Sequence, residues 1–351
     1  MTPAPGAAPA VSVLITTYNG GALLEQAIAS ILAQDFADFA LVVVDDASTD
    51  DTSARLAAMA DPRLCVLRNR DNLGVVGARN RGFAVCTGRY LAVLDHDDLA
   101  APGRLGAQVA ALDAEPALVA VGAGTAMLRD GRQVGEAQDR PLDPDALGFL
   151  LHLGNPLTWS SMMLRMEVLR RLPVFVRAEY ALADDYDLYH RLLAHGPMRR
   201  IGGALCFYRW HAANLSGQHG ALLDARAAAV LARALAPGFG AEAQELAQLL
   251  IRHVSNRQVP TGEAGLRALG TALMRVFLAY CDAHPTASRG ALATLAGREW
   301  WRSVAGAARC GAPGLLALRR EQPVLAAWFR PGLRAWGETL AISWLRRATR
   351  R

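Results

Sequence analysis

The chain has 351 residues, of which 52% are hydrophobic and 20% are charged, with a formal net charge of +5. This length suits one large globular domain with an appendage, or two domains. The basic charge is all arginine, and no polybasic tract interleaved with aromatic residues occurs in the first 200 residues, which argues against a nucleic-acid-binding protein. No charge-free, strongly apolar run reaches 18 residues, so a transmembrane helix is not expected. Residues 1–10 lack a basic signal-peptide region, so we expect a disordered lead-in and a cytoplasmic protein.

Strands and helices alternate over the first hundred residues. The predicted strands cover 11–15, 40–44, 64–67 and a run beginning at residue 90, and the predicted helices cover 22–34, 49–60 and 74–85. This alternation predicts an α/β fold with a mostly parallel, doubly wound sheet. The turn after the first strand lacks both GxGxxG and GxxxxGK[ST], and neither motif occurs elsewhere. The sequence therefore excludes the two commonest nucleotide-binding loops.

The fourth predicted strand runs into three aspartates in the stretch YLAVLDHDD, at Asp95, Asp97 and Asp98. Open α/β sheets bind ligands at the carboxyl ends of such strands. Carboxylates this close repel one another, and a divalent cation shared with a substrate phosphate would relieve the repulsion. In the alternative interpretation, Asp97 or Asp98 caps the helix that follows Pro102, and Asp95 is a solvated strand end.

The turns after the first two strands offer groups that suit a nucleobase. The first turn, TTYNGG, supplies hydroxyls and the ring of Tyr18, and the second strand ends near Asp46, which can accept hydrogen bonds from a base edge. The alternative is that Asp46 only caps a helix or stabilises a turn.

The pattern changes after residue 117. Apolar alternation closed by Asp130-Gly131 predicts a β-hairpin over 117–133, and a further strand is expected within 155–164. A helix is predicted over 179–194, with Asp184 and Asp185 at its N-terminus, where the helix dipole alone would favour carboxylates. Another strand, over 198–210, leads to His211.

The residues after 220 predict only helices, and we expect a domain boundary near that position. In the last predicted helix, Leu333, Trp336, Leu340 and Trp344 fall on one face. Arginines lie at its flanks and end, at Arg334, Arg346, Arg347, Arg350 and Arg351. A basic amphipathic helix is typical of contact with a membrane surface. The alternative is a helix that packs on its own domain or on a second subunit.

The motifs TTYN, VVVDDAST, LGVVGARNRG, YLAVLDHDD, ADDYDLYHRL and YRWHAANLS occur in this order over about residues 11–217. In this order and spacing they resemble a family 2 glycosyltransferase. The resemblance implies a GT-A fold, with a mostly parallel sheet flanked by helices over 11–219 and a helical C-terminal extension over 220–351. It also implies transfer of a sugar from a nucleotide-diphospho-sugar, with inversion of the anomeric carbon.

The resemblance also implies roles for individual residues. The nucleotide-sugar site would comprise Thr16, Tyr18, Asn19, Asp46, Ser48, Gly74, Arg79 and Asp95. A divalent metal, Mg²⁺ or Mn²⁺, would be held by Asp97, Asp95 and His211. Asp185 would be the catalytic base, with Asp184 in place of the usual glutamate beside it. The acceptor side would be lined by Asn155, Trp159 and Ser160, although Trp159 equally suits core packing.

One further departure from the family pattern is Ala47, which replaces a usual glycine and is tolerable if its φ is negative. The expected acceptor is a glycan or a lipid-linked sugar of bacterial envelope or exopolysaccharide synthesis, met at the inner face of the membrane. The C-terminal helices would contact the membrane or form a homodimer. Two other functions remain open from the sequence. One is a non-catalytic sugar-nucleotide-binding module that acts through its helical tail, and the other is a nucleotidyltransferase.

Overall fold

The computed structural model describes residues 8–212, 214–260, 262–310, 323–329 and 339. Its strands are β1 (Val11–Thr17), β2 (Phe39–Asp45), β3 (Leu64–Arg68), β4 (Tyr90–Asp95), β5 (Leu99–Ala100), β6 (Ala120–Arg129), β7 (Arg132–Gln138), β8 (Met162–Arg165) and β9 (Met198–Arg209). They form one sheet in the order β3-β2-β1-β4-β8-β6-β9-β5, with β7 beside β6. The first four strands are parallel, whereas β8 runs antiparallel to β4 and β6.

The helices account for most of the remaining described residues. They are α1 (Gly21–Leu32), α2 (Thr52–Ala58), α3 (Gly74–Val85), α4 (Arg104–Ala114), α5 (Pro144–Leu151), α6 (Met166–Leu169), α7 (Asp184–Leu193), α8 (Leu215–Gln218), α9 (Gly220–Phe239), α10 (Ala243–Leu250), α11 (Gly262–Ala283), α12 (Arg289–Arg309) and α13 (Pro323–Trp328).

Helices cover both faces of the parallel strands. Val13 and Ile15 of β1 belong to a buried cluster that includes Ile28 of α1 and Leu105 of α4, so these two helices share one face. The alternate residues of β1 point to the opposite face. There, a Cβ atom on Gly82 of α3 would lie 2.3 Å from Leu14, so glycine lets α3 pack directly on the sheet.

The strand register brings the three loops with predicted functions to one edge. Thr17 at the end of β1 pairs with Asp45, and Thr16 pairs with Asp95. Because parallel strands end at the same edge of a sheet, the residues after β1, β2 and β4 all lie there. The hairpin is formed by β6 and β7, and its turn residues Asp130 and Gly131 have φ angles of 52° and 72°. This confirms the hairpin predicted from Asp130-Gly131.

The chain divides into two compact units. The first contains the described residues up to Leu147 together with Leu157–Leu223, and the second contains Gly148–Pro156 and the described residues from Asp224 onward. The first unit holds the sheet, and the second is helical. In the second unit, the Phe149 ring packs edge-on against Tyr280 at a centroid distance of 5.5 Å. No sequence pattern indicated that residues 148–156 would belong to the second unit.

Within the described part of the chain, one helix, α11, is long and apolar enough to cross a membrane by length and composition. Half of its most apolar stretch is buried inside the protein, as in a core helix. The predicted amphipathic face at Leu333, Trp336, Leu340 and Trp344, with its arginines, lies outside the described residues.

Candidate functional site

The loops after β1 and β2 bind to each other. The Asn19 N–H donates to Ser48 Oγ (2.9 Å), and Asn19 Oδ1 accepts the Thr49 N–H (2.8 Å). These bonds hold the two loops together and leave the Tyr18 ring 47% exposed at the edge. Thr16 is partly buried beside them. Tyr18 therefore presents a face to solvent, whereas Asn19 and Ser48 shape the loops that carry it.

Asp46 links the end of β2 to the start of α3. The side chain is buried, and its Oδ1 accepts the Leu73 N–H (2.9 Å) and a short hydrogen bond from Asn69 Nδ2. Leu73 immediately precedes Gly74, the first residue of α3. Asp46 therefore has a structural role at this helix start, and its predicted contact with a base stays a prediction.

The negative φ that would make an alanine tolerable at position 47 is not found. The φ angle of Ala47 is 62°, so this residue adopts the left-handed conformation that favours glycine. A residue with a Cβ pays about 1–2 kcal/mol for it.

A buried arginine connects two acidic segments that are distant in sequence. Arg79 of α3 donates to Asp184 Oδ2 at the start of α7 (2.7 Å) and to Asp95 Oδ1 at the end of β4 (3.0 Å). Its guanidinium lies 4.2 Å from the centre of the Trp159 ring. Burial opposes the positive charge, but Asp184 and Asp95 raise the Arg79 pKa above its usual value. Arg79 thus remains charged and holds both carboxylates.

Asp97 lies beside the loop that follows β9. Its Oδ2 is 3.1 Å from His211 Nε2 and accepts a hydrogen bond from Asn214 Nδ2 (3.2 Å). Both side chains of the Asp97–His211 pair are partly exposed. The structure therefore brings two of the three predicted metal ligands together, and Asn214 positions the carboxylate.

Asp98 and Arg209 stabilise this arrangement from the interior. Asp98 is fully buried and accepts the Arg209 N–H (2.9 Å), and burial raises its pKa well above the usual value. The Arg209 guanidinium donates to the Leu23 carbonyl of α1 (3.0 Å) and closely to that of Asp97. The capping alternative is not found, because α4 begins after Gly103 without a side-chain cap.

The side chains at this edge of the sheet could supply some, but not all, of the ligands of a divalent metal ion. Among the described residues, no three His, Cys, Asp or Glu side chains form a group that could hold a metal ion. Asp95 instead bonds to Arg79, which leaves Asp97 and His211 as the adjacent oxygen and nitrogen donors. Mg²⁺ in phosphate-transfer sites uses one or two protein carboxylates and completes its shell with substrate phosphates and water. The pair thus suits an ion that a diphosphate helps to hold.

The two carboxylates of the acidic pair differ in exposure. Asp184 is buried and bonded to Arg79, whereas Asp185 is partly exposed and its Oδ1 accepts the Tyr186 N–H (2.7 Å). Neither caps the helix, because α7 begins after Ala183 without a side-chain cap. The turn before it has Leu182 at φ 76°, a strained conformation for a leucine.

The predicted acceptor residues are not gathered at an open surface. Trp159 is buried between Arg79 and Phe175, which favours the packing interpretation. Ser160 is also buried, and its Oγ accepts the Asp95 N–H (3.0 Å). Asn155 belongs to the second unit, and its role on the acceptor side stays a prediction.

Sequence reasoning missed three residues of the site: Asn69, Arg209 and Asn214. Arg209 and Asn214 lie within YRWHAANLS, the motif that contains His211, and this proximity was the available signal. Asn69 carries no such signal, because its bond to Asp46 joins positions 23 residues apart.

Comparison with known proteins agrees with this architecture. Residues 12–172 match the model of the family described as "Glycosyl transferase family 2". The chain is 39% identical to the succinoglycan biosynthesis protein ExoO of Rhizobium meliloti over 132 residues, which are 38% of each protein. It is 32% identical to the putative glycosyltransferase EpsE of Bacillus subtilis over 193 residues, which are 54% of this chain and 68% of EpsE. The chain thus matches only part of the length of these relatives.

The fold is shared with a solved protein. A crystal structure of S. aureus TarS 1-349 superposes with a TM-score of 0.53 at 17% identity, over 91% of this chain and 90% of that one. The sheet and its flanking helices are those of the GT-A fold, as predicted. Given the match over 12–172 and the similarity to most of EpsE, the chain belongs to glycosyl transferase family 2.

Proposed function

We propose that this protein transfers a sugar from a nucleotide-diphospho-sugar to an acceptor hydroxyl, with inversion at the anomeric carbon. One observation carries the proposal: Arg79 bonds to Asp95 at the end of β4 (3.0 Å) and to Asp184 of the acidic pair (2.7 Å). This bridge connects the end of β4, where a diphosphate would bind, to the start of α7, which carries Asp185. The same bridge supports a donor site and a proton acceptor next to each other.

The donor side rests on the loops after β1, β2 and β4. Tyr18 offers an exposed ring for a base, and Asp97 with His211 would hold a divalent ion together with the diphosphate. Such an ion would neutralise the charge that develops on the departing diphosphate. TarS, which shares the fold, has been crystallised in complex with UDP-GlcNAc, and this supports a nucleotide-sugar donor here.

Asp185 is the better candidate for the catalytic base. It is partly exposed, whereas Asp184 is buried in its bond to Arg79. In a single displacement, the base takes the proton of the acceptor hydroxyl while its oxygen bonds to the anomeric carbon and the bond to the diphosphate breaks. Because base and leaving group lie on opposite faces of the sugar, the configuration inverts.

The biological setting is proposed from the relatives. ExoO is described as a succinoglycan biosynthesis protein, which supports a role in bacterial envelope or exopolysaccharide synthesis on a glycan or lipid-linked acceptor. A cytoplasmic location at the inner face of the membrane suits that role. Contact of the tail with a membrane or with a second subunit stays a prediction, because its residues lie outside the described part of the chain.

Donor binding is tested by thermal unfolding with a panel of nucleotide sugars. A ligand that binds only the folded protein raises its melting temperature by mass action. We expect at least one nucleotide sugar to stabilise the wild-type protein with Mn²⁺, and EDTA or Asp97→Ala to remove this shift. The control is Asp113→Ala, which removes an exposed carboxylate that pairs with Arg89 and should keep the shift. Equal shifts with and without metal would refute the proposed metal site.

A further inference from the structure

Three neighbouring strands of the first unit carry large apolar side chains on an exposed face. Val134 of β7 pairs with Met127 of β6, and Met127 pairs with Tyr208 of β9. Paired residues point to the same face of a sheet. Val134 and Met127 are 43% and 44% exposed, and Tyr208 is partly exposed. These three side chains therefore form an apolar strip on the sheet that is partly exposed to solvent.

A second row lies beside the first, toward the hairpin turn. Arg132 pairs with Arg129. The Trp210 N–H donates to the Leu128 carbonyl (2.7 Å), and this bond extends the pairing of β6 with β9 by one residue, to Trp210. The Arg129 guanidinium lies 4.2 Å from the centre of the Trp210 ring, and residue Trp210 is 43% exposed. An exposed indole stacked by a guanidinium is a rigid platform with hydrogen-bond donors at its edge.

Strand alternation shows which side of the sheet this platform faces. Arg209 donates to the Leu23 carbonyl of α1, so Trp210, the next residue, points to the opposite face. Helices α1 and α3 cover opposite faces of the sheet, because Ile28 of α1 belongs to the Ile15 cluster whereas Gly82 of α3 packs on Leu14. The platform thus faces the side of α3, the helix whose Arg79 bonds to Asp184 at the start of α7.

We propose that Trp210, Arg129 and Tyr208 form a saccharide-binding subsite for the acceptor, and this proposal rests on the proposed transferase function. The platform and the candidate metal pair are carried by adjacent residues, since Trp210 directly precedes His211, which contacts Asp97. Sugar rings pack their C–H faces on exposed aromatic rings, and guanidinium N–H groups donate to sugar hydroxyls. Trp159 cannot serve in this way because it is buried beneath Arg79.

The test uses the full-length protein and its variants Trp210→Ala and Trp210→Phe. The probes are immobilised gluco-oligosaccharides, galacto-oligosaccharides and acidic bacterial oligosaccharides, with vesicles of phosphatidylglycerol as a separate arm. We expect the wild type to bind at least one saccharide and Trp210→Ala to weaken that binding about tenfold, as for loss of an aromatic anchor. Trp210→Phe should restore most of it. The matched control is Val66→Ala, at another exposed apolar residue, on β3, which should bind as the wild type.

Melting temperatures identify a variant that fails to fold, and Arg129→Ala then replaces Trp210→Ala with the same expected loss. The proposal is overturned if the wild type binds none of the saccharides, if Trp210→Ala binds them as well as the wild type, or if the variants lose binding to vesicles alone. Nucleotide-sugar stabilisation of the same proteins separates the two proposals. If a nucleotide sugar stabilises the wild type but no saccharide binds, only the subsite proposal is refuted. If a saccharide binds but no nucleotide sugar stabilises the wild type, the transferase proposal is refuted.

Discussion

Asp184 and Asp185 are adjacent in sequence but have different surroundings. Asp184 is buried and its carboxylate is 2.7 Å from the Arg79 guanidinium, whereas Asp185 is partly exposed. A buried ion pair that loses one partner leaves an uncompensated charge, and this costs several kcal/mol. The first carboxylate is therefore fixed in a buried ion pair, and the second is the one that we propose as the base.

This difference predicts opposite behaviour of two isosteric variants in thermal unfolding. Asp184→Asn should destabilise the protein by about 2 kcal/mol or more, since Arg79 loses the charge of its buried, closest carboxylate partner. Asp185→Asn should change the stability by less than about 1 kcal/mol, the size of a helix-dipole effect. Equal destabilisation by the two variants would contradict the roles assigned here.

Ala47 gives a second test with the opposite sign. Because its φ is 62°, Ala47→Gly should remove the steric cost of a Cβ in the left-handed region. Glycine loses more conformational entropy on folding than alanine, and this offsets part of the gain. We therefore expect a net increase of up to about 1 kcal/mol in the free energy of unfolding. The control is Ala57→Gly, at an exposed position inside α2, which should lose about 1 kcal/mol in chemical denaturation. A loss at both positions would show that Ala47 is not strained.

At the scale of elements, Arg79 holds α3, α7 and β4 together at the site. Lysine keeps the charge but lacks the planar fork by which Arg79 donates from two separate nitrogens to Asp184 and Asp95, and it cannot stack flat on Trp159. Arg79→Lys should therefore lower the free energy of unfolding by about 1–3 kcal/mol.

The matched control for Arg79→Lys is Arg89→Lys. Arg89 also pairs with an aspartate, Asp113, and also stacks on an aromatic ring, Tyr90, but its side chain is 56% exposed. Exposed pairs of this kind contribute at most about 1 kcal/mol, so this variant should melt close to the wild type. Equal melting temperatures of the two variants would show that the burial of Arg79 does not increase the contribution of its bonds to stability.

Local patterns predicted the elements that local chemistry determines. Helix α3 spans Gly74–Val85 as predicted, and the hairpin turns at Asp130 and Gly131, which adopt positive φ. The strand expected within 155–164 is shorter, because only Met162–Arg165 pairs with neighbours. Buried Ser160 and Ser161 resembled the polar face of a strand, but residues 159–161 form a 3₁₀ turn.

Contacts between distant positions were beyond sequence reasoning. The bond from Arg79 to Asp184 joins residues 105 positions apart, and Trp159 is covered by Arg79, 80 positions before it in the chain. No local signal distinguishes an arginine that binds substrate from one that holds two carboxylates. The same limit applies to Trp210, whose exposure depends on its place in a ladder with Leu128.

At the scale of the whole molecule, the second unit should be sensitive to mild acid through His152. Its Nδ1–H donates to the Gly148 carbonyl (2.8 Å), and burial lowers its pKa below the usual 6.5. The unfolded chain therefore binds a proton more readily, so stability present above about pH 6.5 is lost as the pH falls toward the folded-state pKa.

His152→Gln tests this linkage. Between about pH 7.5 and about pH 5.5, the melting temperature of the wild type should fall more than that of the variant, because the variant has no group to protonate at this position. His195→Gln, at an exposed histidine, is the control and should follow the wild type. A parallel decline of the wild type and His152→Gln would show that the acid sensitivity arises elsewhere.

The most direct test of the account is to identify the product that is released from a nucleotide sugar that stabilises the protein. With Mn²⁺ and a saccharide acceptor, the wild type should release nucleoside diphosphate, and Asp185→Asn should keep donor binding but slow the release by a factor on the order of 10² or more. Release of pyrophosphate would instead indicate a nucleotidyltransferase, and donor binding without any release would indicate a binding module. An Asp185→Asn variant as fast as the wild type would contradict the assignment of the base.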